Sequence, residues 1–140
     1  MLRVVVDPNV FISAVINPLG PPGRLVDSAR RGQYVLVASP LLLAEVEEVL
    51  GRDRLRRRLP PGAGWRFLTE LRALVERVPD AGHPLAHGTR DPDDDYLLAL
   101  AKEAGVDCLV TGDADLTDLV DSSPPVCSPA AFLARLGPRQ

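Results

Sequence analysis

The feature that most limits the fold is a set of short apolar runs that lack the alternation of a surface strand. Residues 2–6 contain three consecutive valines, and residues 34–38 and 107–111 hold two further runs. A strand with one face in water alternates polar and apolar side chains, whereas a strand covered on both faces is apolar throughout. We therefore predict that these runs are central strands of a parallel sheet.

Segments of helical periodicity separate the strands. We predict helices at residues 10–16, 24–31, 41–50, 65–78, from about 92 to 105, and 129–136, with a last short strand at 126–127. Strands that alternate with helices form layered α/β domains. The prediction is a three-layer α/β/α domain with a central, mainly parallel sheet of four to five strands, which spans residues 1–136 and leaves a tail at 137–140.

The composition fits one globular domain. The chain has 140 residues, of which 46% are hydrophobic, and a net charge of −3. This charge argues against a surface covered with basic residues, but it does not exclude nucleic acid, because clustered carboxylates can hide a basic patch in the sum. Cys108 and Cys127 lack metal-ligand spacing, so we predict two reduced core thiols. We expect a cytoplasmic protein with no membrane contact, because no signal peptide precedes the first strand and no apolar run reaches about 18–20 residues.

Acidic residues crowd the start of the predicted helix near residue 92. Residues 91–95 contain four aspartates around Pro92. Proline and acidic side chains both suit the first turn of a helix, and this explains part of the pattern. Four neighbouring negative charges still repel one another, and a divalent cation held by carboxylate oxygens would relieve that repulsion.

Helical spacing ranks these aspartates. Asp94 precedes Leu97 and Ala101 by three and seven positions, which places it within the apolar stripe of the helix, whereas Asp95 falls nearer to Lys102. A carboxylate on a face that turns toward the core needs a partner. Asp94 is therefore our first choice for a metal ligand, and Asp95 is the second.

Three further acids come from distant segments. Asp7 and Asp113 follow two of the predicted strands, and the carboxyl ends of parallel strands meet at one edge, where ligands bind. Asp7 alone could equally be a helix N-cap. Glu45 lies within the apolar stripe of the helix at 41–50, either in a functional role or paired with an arginine at the edge of the stripe. We predict that Asp7, Glu45, Asp94 and Asp113 converge on this edge.

Such a cluster indicates a class of reaction. Aspartate and glutamate without histidine or cysteine suit hard cations such as Mg²⁺ or Mn²⁺. A bound metal of this kind activates water and neutralises charge on a phosphoryl oxygen, which favours hydrolysis of a phosphodiester. His83 and His87 lie in a predicted loop and are not expected to bind zinc. Residues 20–23 lack the spacing and the lysine of a phosphate-binding loop.

A run of arginines has two interpretations. Residues 52–58 contain Arg52, Arg54, Arg56, Arg57 and Arg58. Such a run is either a solvated helix face with ion pairs one turn apart or a surface that contacts RNA phosphates. We interpret the nearby Trp65 as a packing residue rather than as a platform for base stacking.

Four motifs in this order resemble the PIN domain family, and more narrowly the VapC-like toxins of toxin–antitoxin systems. They are residues 4–10, 39–45, 90–95 and 109–116, and the resemblance covers nearly the whole chain. It implies an Mg²⁺- or Mn²⁺-dependent endoribonuclease that acts on RNA, with a cognate antitoxin and a homodimeric state as expected partners.

The resemblance also assigns roles to residues. Asp7, Glu45, Asp94 and Asp113 match the family's catalytic acids, with Asp95 still open for the third position. The residues expected to hold the metal are Asp7, Asp94, Asp95, Asp113 and Asp115. Asp115 matches an accessory acid, and Asn9 and Thr111 match supporting positions. Pro8 departs from the usual threonine between the first two polar positions.

Other functions use similar folds. A phospho-receiver domain also has acids at strand ends, but it needs a lysine at a strand end, and Lys102, the only lysine, lies within a predicted helix. A PIN fold without catalysis could bind RNA or protein. A nuclease that cuts DNA could use the same acids, since they do not distinguish the two nucleic acids.

Overall fold

The computed structural model describes residues 1–82, 92–119 and 122–137, with the side chains of 92–95 excepted. In this part of the chain, the strands are β1 (Arg3–Val6), β2 (Val35–Ala38), β3 (Glu76–Arg77), β4 (Cys108–Val110) and β5 (Val126–Cys127). The helices are α1 (Pro8–Ile16), α2 (Pro21–Arg30), α3 (Pro40–Leu50), α4 (Asp53–Arg56), α5 (Ala63–Leu74), α6 (Pro92–Glu103), α7 (Ala114–Thr117) and α8 (Pro129–Leu136).

The described strands form one parallel sheet in the order β3-β2-β1-β4-β5. Val5 of the central strand lies opposite Val37 on one side and Leu109 on the other. Val4, Val5 and Val6 are all 0% exposed. Because successive side chains of a strand point to opposite faces, both faces of β1 are covered. The predicted α/β fold with a parallel sheet is confirmed.

The order of the strands explains how the two faces are covered. The chain moves from β1 outward to β2 and β3, and α6 then returns it to β4 on the other side of β1. Right-handed crossovers that leave in opposite directions place their helices on opposite faces. Accordingly, α6 packs against β1 and β4, whereas α1 packs against α2 and α3.

The core lies between these layers and extends under α8. Phe132 is 0% exposed and packs edge-on against Tyr34, with 5.0 Å between the ring centroids. The Tyr34 hydroxyl donates a 2.7 Å hydrogen bond to the carbonyl of Leu25, and burial raises the pKa of this phenol. In the part of the chain that the structure describes, no helix is both long and apolar enough to cross a bilayer.

Two predicted helix boundaries are wrong. The helix expected at 65–78 ends at Leu74, and β3 follows it as an exposed strand that pairs with the end of β2. A strand of two exposed residues carries no apolar signal. The helix expected at 24–31 begins earlier, at Pro21, since proline suits a first helical turn.

The helices that flank the sheet begin and end at identifiable caps. The Ser39 hydroxyl accepts a 3.3 Å hydrogen bond from the amide of Leu42, so α3 begins directly after β2. Gly105, with φ +66°, ends α6. Its amide donates to the carbonyl of Lys102, and the amide of Val106 donates to that of Ala101, which is the pattern of a Schellman motif. The chain thereby enters β4 two residues later.

Candidate active site

The candidate site lies where the order of the strands reverses. β1 continues to β2 on one side of the sheet, and β4 lies on its other side. In open parallel sheets, the crevice outside the carboxyl ends of two such strands is the usual position for a ligand. Asp7 directly follows β1, and Thr111 directly follows β4.

Asp7 is fixed by both of its carboxylate oxygens. It is 5% exposed, and its Oδ1 accepts a 2.9 Å hydrogen bond from the amide of Asn9, so that Asp7 caps α1. Pro8 takes the first helical position, where its missing N–H costs nothing. Oδ2 accepts a 2.7 Å hydrogen bond from the hydroxyl of Thr111. The sequence Asp7-Pro8-Asn9 therefore builds a cap that also holds a carboxylate at the edge of the sheet.

Thr111 connects the two acidic segments. It is fully buried, and its amide donates a 3.0 Å hydrogen bond to the carbonyl of Cys127 in β5. Its hydroxyl donates to Asp7 and accepts a 3.0 Å hydrogen bond from the amide of Asp113. Because the amide of Asp113 can only donate, the hydroxyl proton must point toward Asp7. One hydroxyl thus sets the positions of both chain segments.

Asp113 is half-buried at the start of α7. Its Oδ1 accepts a 2.9 Å hydrogen bond from the amide of Asp115, which makes it the N-cap of that helix. Asp115 is exposed in the first turn. The two acids are therefore adjacent, with Asp113 the less exposed of the pair.

Asp7 and Asp113 open onto the same solvent space. Both line a groove of about 370 Å³. Its other lining residues are Asn9, Val10, Ser13, Pro22, Gly112 and Pro129. The structure thus places two of the four predicted acids at one groove, and their catalytic role stays a prediction.

Several walls of this groove could not be predicted from the sequence. Pro22 and Pro129 come from the first turns of α2 and α8, which pack against each other. Helical periodicity marks which face of each helix is buried, but it does not say which helices meet. A proline in a first helical turn was the one available signal, and it marks only a helix start.

The donor set of the groove fits a hard cation. Among the ion pairs of the described residues, none includes Asp7 or Asp113. A buried carboxylate is costly unless it is paired. Two hydrogen bonds leave about half of the lone-pair sites on the Asp7 carboxylate available. Carboxylate oxygens are the ligands that Mg²⁺ and Mn²⁺ prefer.

The described side chains do not complete a metal site by themselves. Among them, no three acids, cysteines or histidines lie together as a group that could hold a metal ion. Asp94 and Asp95 fall in the first turn of α6, but their side chains lie outside the described residues, as do His83, His87 and Asp91. The last turn of α6 leads into the amino end of β4. In a crossover between parallel strands, the first turn of the helix therefore lies toward the carboxyl edge of the sheet.

Glu45 occupies a less direct position. It is half-buried on α3, which packs against α1 and α5, and it does not line the groove. Leu41, which we predicted to share its apolar stripe, is 50% exposed. The role of Glu45 stays a prediction.

The arginine segment lies at the other end of α3. α3 begins at Pro40, beside the carboxyl end of β2, and its eleven residues span roughly 16 Å before Gly51. Residues 52–58 follow, with α4 among them. They share no lining residue with the groove of Asp7. The structure therefore separates the predicted phosphate contacts from the acids.

Comparison with known proteins gives the family. A family model described as a PIN domain matches residues 3–115, which include β1 to β4 and both groove acids. The chain belongs to the PIN domain family. Proteins with this domain are typically nucleases, and PIN nucleases usually use divalent metals, in agreement with the chemistry of the groove.

Two similar proteins extend the comparison. The uncharacterized protein MJ1680 of Methanocaldococcus jannaschii is 35% identical over 126 residues, which are 87% of this chain and 77% of that protein. The crystal structure of PAE2754 from Pyrobaculum aerophilum superposes with a TM-score of 0.66 at 18% identity, covering 96% of this chain and 89% of that one. The first is a relative whose name gives no function, and the second shows the shared fold.

Proposed function

We propose that this PIN domain is an Mg²⁺- or Mn²⁺-dependent endoribonuclease. The observation that carries the proposal is the Asp7 carboxylate, which is buried at the reversal point of the sheet and shares a groove with Asp113. Among the described residues it has no cationic partner. A divalent cation would balance this charge, and at this position it could activate the water that hydrolyses a phosphodiester.

The chain's own residues would bind and orient. Asp7 and Asp113 would hold the metal from the ends of β1 and β4, and Asp94 or Asp95 would add a ligand from the first turn of α6. When bound, the metal lowers the pKa of a water molecule and stabilises charge on the phosphoryl oxygens. Asp115 would contribute a further carboxylate beside Asp113, and Glu45 would act from α3.

The supporting residues would keep the carboxylate of Asp7 in one orientation. The hydroxyl of Thr111 and the amide of Asn9 hold one oxygen each. A ligand held in this way loses little conformational freedom when the metal or the substrate binds. Asn9 is exposed and lines the groove, where its side chain can donate to a phosphate oxygen.

The choice of RNA and the role as a toxin rest on the resemblance to VapC-like proteins. A metal held by these acids could act on the phosphodiesters of RNA or of DNA. The first comparison is therefore the rate of cleavage of RNA against that of DNA. An antitoxin partner, a homodimer and a location in the cytoplasm belong to the same proposal.

The test uses matched labelled single-stranded RNA and DNA with Mg²⁺, Mn²⁺ or EDTA. We expect cleavage of RNA that requires metal and is lost in Asp7→Asn. Asp118→Asn is the matched control, because Asp118 is an exposed aspartate at the end of α7 and does not line the groove. Cleavage of DNA but not of RNA would show that DNA is the substrate and would overturn the proposal of a ribonuclease. RNA binding without cleavage under any metal would favour a PIN fold that only binds.

A further inference from the structure

Four of the five arginines in the arginine segment have no ion-pair partner among the described residues. Arg52 pairs with Glu48 at 3.2 Å. Arg54, Arg56, Arg57 and Arg58 are exposed, and within the described residues no ion pair engages any of their guanidinium groups. Four adjacent cations repel one another, so an anionic partner would stabilise this surface.

Trp65 stands beside these arginines. It is the only tryptophan of the chain and is 72% exposed, which contradicts our interpretation of it as a packing residue. It lies in the first turn of α5, where its backbone is fixed by the helix. An exposed indole on a rigid element is typical of a contact surface, because it offers a large flat face at little cost in conformational entropy.

A groove joins the two features. Arg56, Arg57 and Trp65 line a space of about 690 Å³, nearly twice that of the groove at Asp7. The groove lies between the end of α3 and the start of α5. Its acidic lining residues are Glu47 and Asp53. Arg72 engages Glu47 at 3.0 Å, so the charges of Arg56 and Arg57 still exceed that of Asp53.

We infer that Arg54, Arg56, Arg57, Arg58 and Trp65, here named the arginine surface, bind single-stranded RNA at a position separate from the groove of Asp7. Guanidinium groups take up phosphates along a strand, and an indole stacks on an unpaired base. Charge complementarity alone would also accept an acidic protein segment. The exposed aromatic face favours nucleic acid, because stacking is available to every base.

The distance between the two sites indicates that the arginine surface would hold RNA away from the bond that is cut. The length of α3, roughly 16 Å, lies between the carboxyl edge of the sheet and the arginine surface. RNA held here would contact the protein some distance along the strand from the bond that is cut. Because the overall charge is −3, the rest of the chain has a net negative charge, which would favour a local contact at the arginine surface.

The inference deepens the proposed function and rests on it for the choice of RNA, but binding can be measured without cleavage. The experiment titrates the full chain with single-stranded RNA of about 16 nucleotides in EDTA and follows the fluorescence of its single tryptophan. We expect RNA to quench Trp65, and added salt to weaken binding. For Arg56→Ala/Arg57→Ala, the slope of log affinity against log salt should fall by roughly 1.4, or about 0.7 for each phosphate that the variant no longer neutralises.

Matched variants separate this surface from general charge. Arg31→Ala/Arg135→Ala removes two exposed arginines outside the groove and should leave affinity within about twofold of wild type. Trp65→Ala, followed with labelled RNA, should weaken binding on the order of tenfold. Thermal unfolding of each variant checks that the fold is kept.

The outcomes distinguish the two claims. Quenching and weakened variants in a protein that never cleaves RNA would support the arginine surface and reject the nuclease. Cleavage with no quenching and no effect of Arg56→Ala/Arg57→Ala would reject the arginine surface alone. Quenching by an acidic peptide but not by RNA would overturn the choice of nucleic acid and assign the surface to a protein partner.

Discussion

The hydroxyl of Thr111 donates a 2.7 Å hydrogen bond to the carboxylate of Asp7, between residues that are 104 positions apart in the sequence. The same hydroxyl accepts from the amide of Asp113. β1 and β4 are neighbours in the sheet, so a single buried group ties together the two loops that follow them. This contact holds the groove acids in a fixed relation before any ligand binds.

Replacing the Thr111 hydroxyl should therefore affect both stability and activity. Thr111→Val keeps the shape but leaves an oxygen of Asp7 and the amide of Asp113 without a partner, which should lower the free energy of unfolding by about 1–3 kcal/mol. Thr111→Ser keeps the hydroxyl and should retain most of the activity. Urea unfolding and kcat/KM are the measurements. Equal values for the valine variant and wild type would show that the bridge has no role.

Asp94 and Asp95 can be separated by substitution. The helical stripe predicts that Asp94 faces the site, so Asp94→Asn should reduce metal-dependent cleavage at least roughly tenfold more than Asp95→Asn. The two variants remove the same charge, so each serves as the control for the other. A larger loss of cleavage in Asp95→Asn would assign the third ligand to Asp95. It would also mean that the face of α6 that turns toward the site is centred on Asp95 rather than on Asp94.

Replacing Gly105 by a residue with a side chain should destabilise the protein, because the backbone at this position has a positive φ. Its φ of +66° is strained for any residue with a Cβ, although there is open space around it. Gly105→Ala should therefore destabilise the protein by about 1 kcal/mol through strain alone.

Gly51 is the matched control for that substitution. It ends α3 with a φ of −84°, so Gly51→Ala should be neutral or slightly stabilising. Thermal or urea unfolding of both variants compares them. Equal unfolding free energies would mean that the positive φ of Gly105 carries no cost.

The two thiols should react at different pH values. The Sγ atoms of Cys108 and Cys127 are 3.0 Å apart. The hydrogen bond between the two thiols lowers the pKa of the half-buried Cys127, whereas that contact and burial raise the pKa of Cys108. A lower pKa means more thiolate at a given pH, so an alkylating reagent should modify Cys127 first and at lower pH.

Peptide mapping by mass spectrometry after brief alkylation at a series of pH values tests this order. In Cys108→Ala, the hydrogen bond is gone and the pH at which Cys127 reacts should rise. Modification of Cys108 before Cys127 in the wild-type protein would contradict the account.

The sheet could be predicted because its central strands are short, valine-rich runs that are apolar on both faces, as in a covered parallel sheet. Asp7 and Asp113 could be placed because parallel strands end at the same edge. β3 could not, since two exposed residues owe their conformation to pairing with β2 rather than to their own side chains.

Long-range contacts set the remaining limits. The hydroxyl of Thr111 is the last polar group of an apolar run, and nothing local shows that it meets Asp7. Trp65 was misjudged because its size suggests burial, whereas its position in the first turn of α5 leaves it facing solvent. Tertiary packing decides which helices contact each other and which side chains stay exposed, and local sequence does not show either.

The measurement that tests the central claim most directly is the binding of Mn²⁺ without substrate. Calorimetric titration of wild type, Asp7→Asn, Asp113→Asn and Asp118→Asn compares the groove acids with an exposed aspartate of the same region. The account predicts that wild type and Asp118→Asn bind alike and that both groove variants bind at least roughly tenfold more weakly. Identical isotherms for all four proteins would contradict a metal site at Asp7 and Asp113.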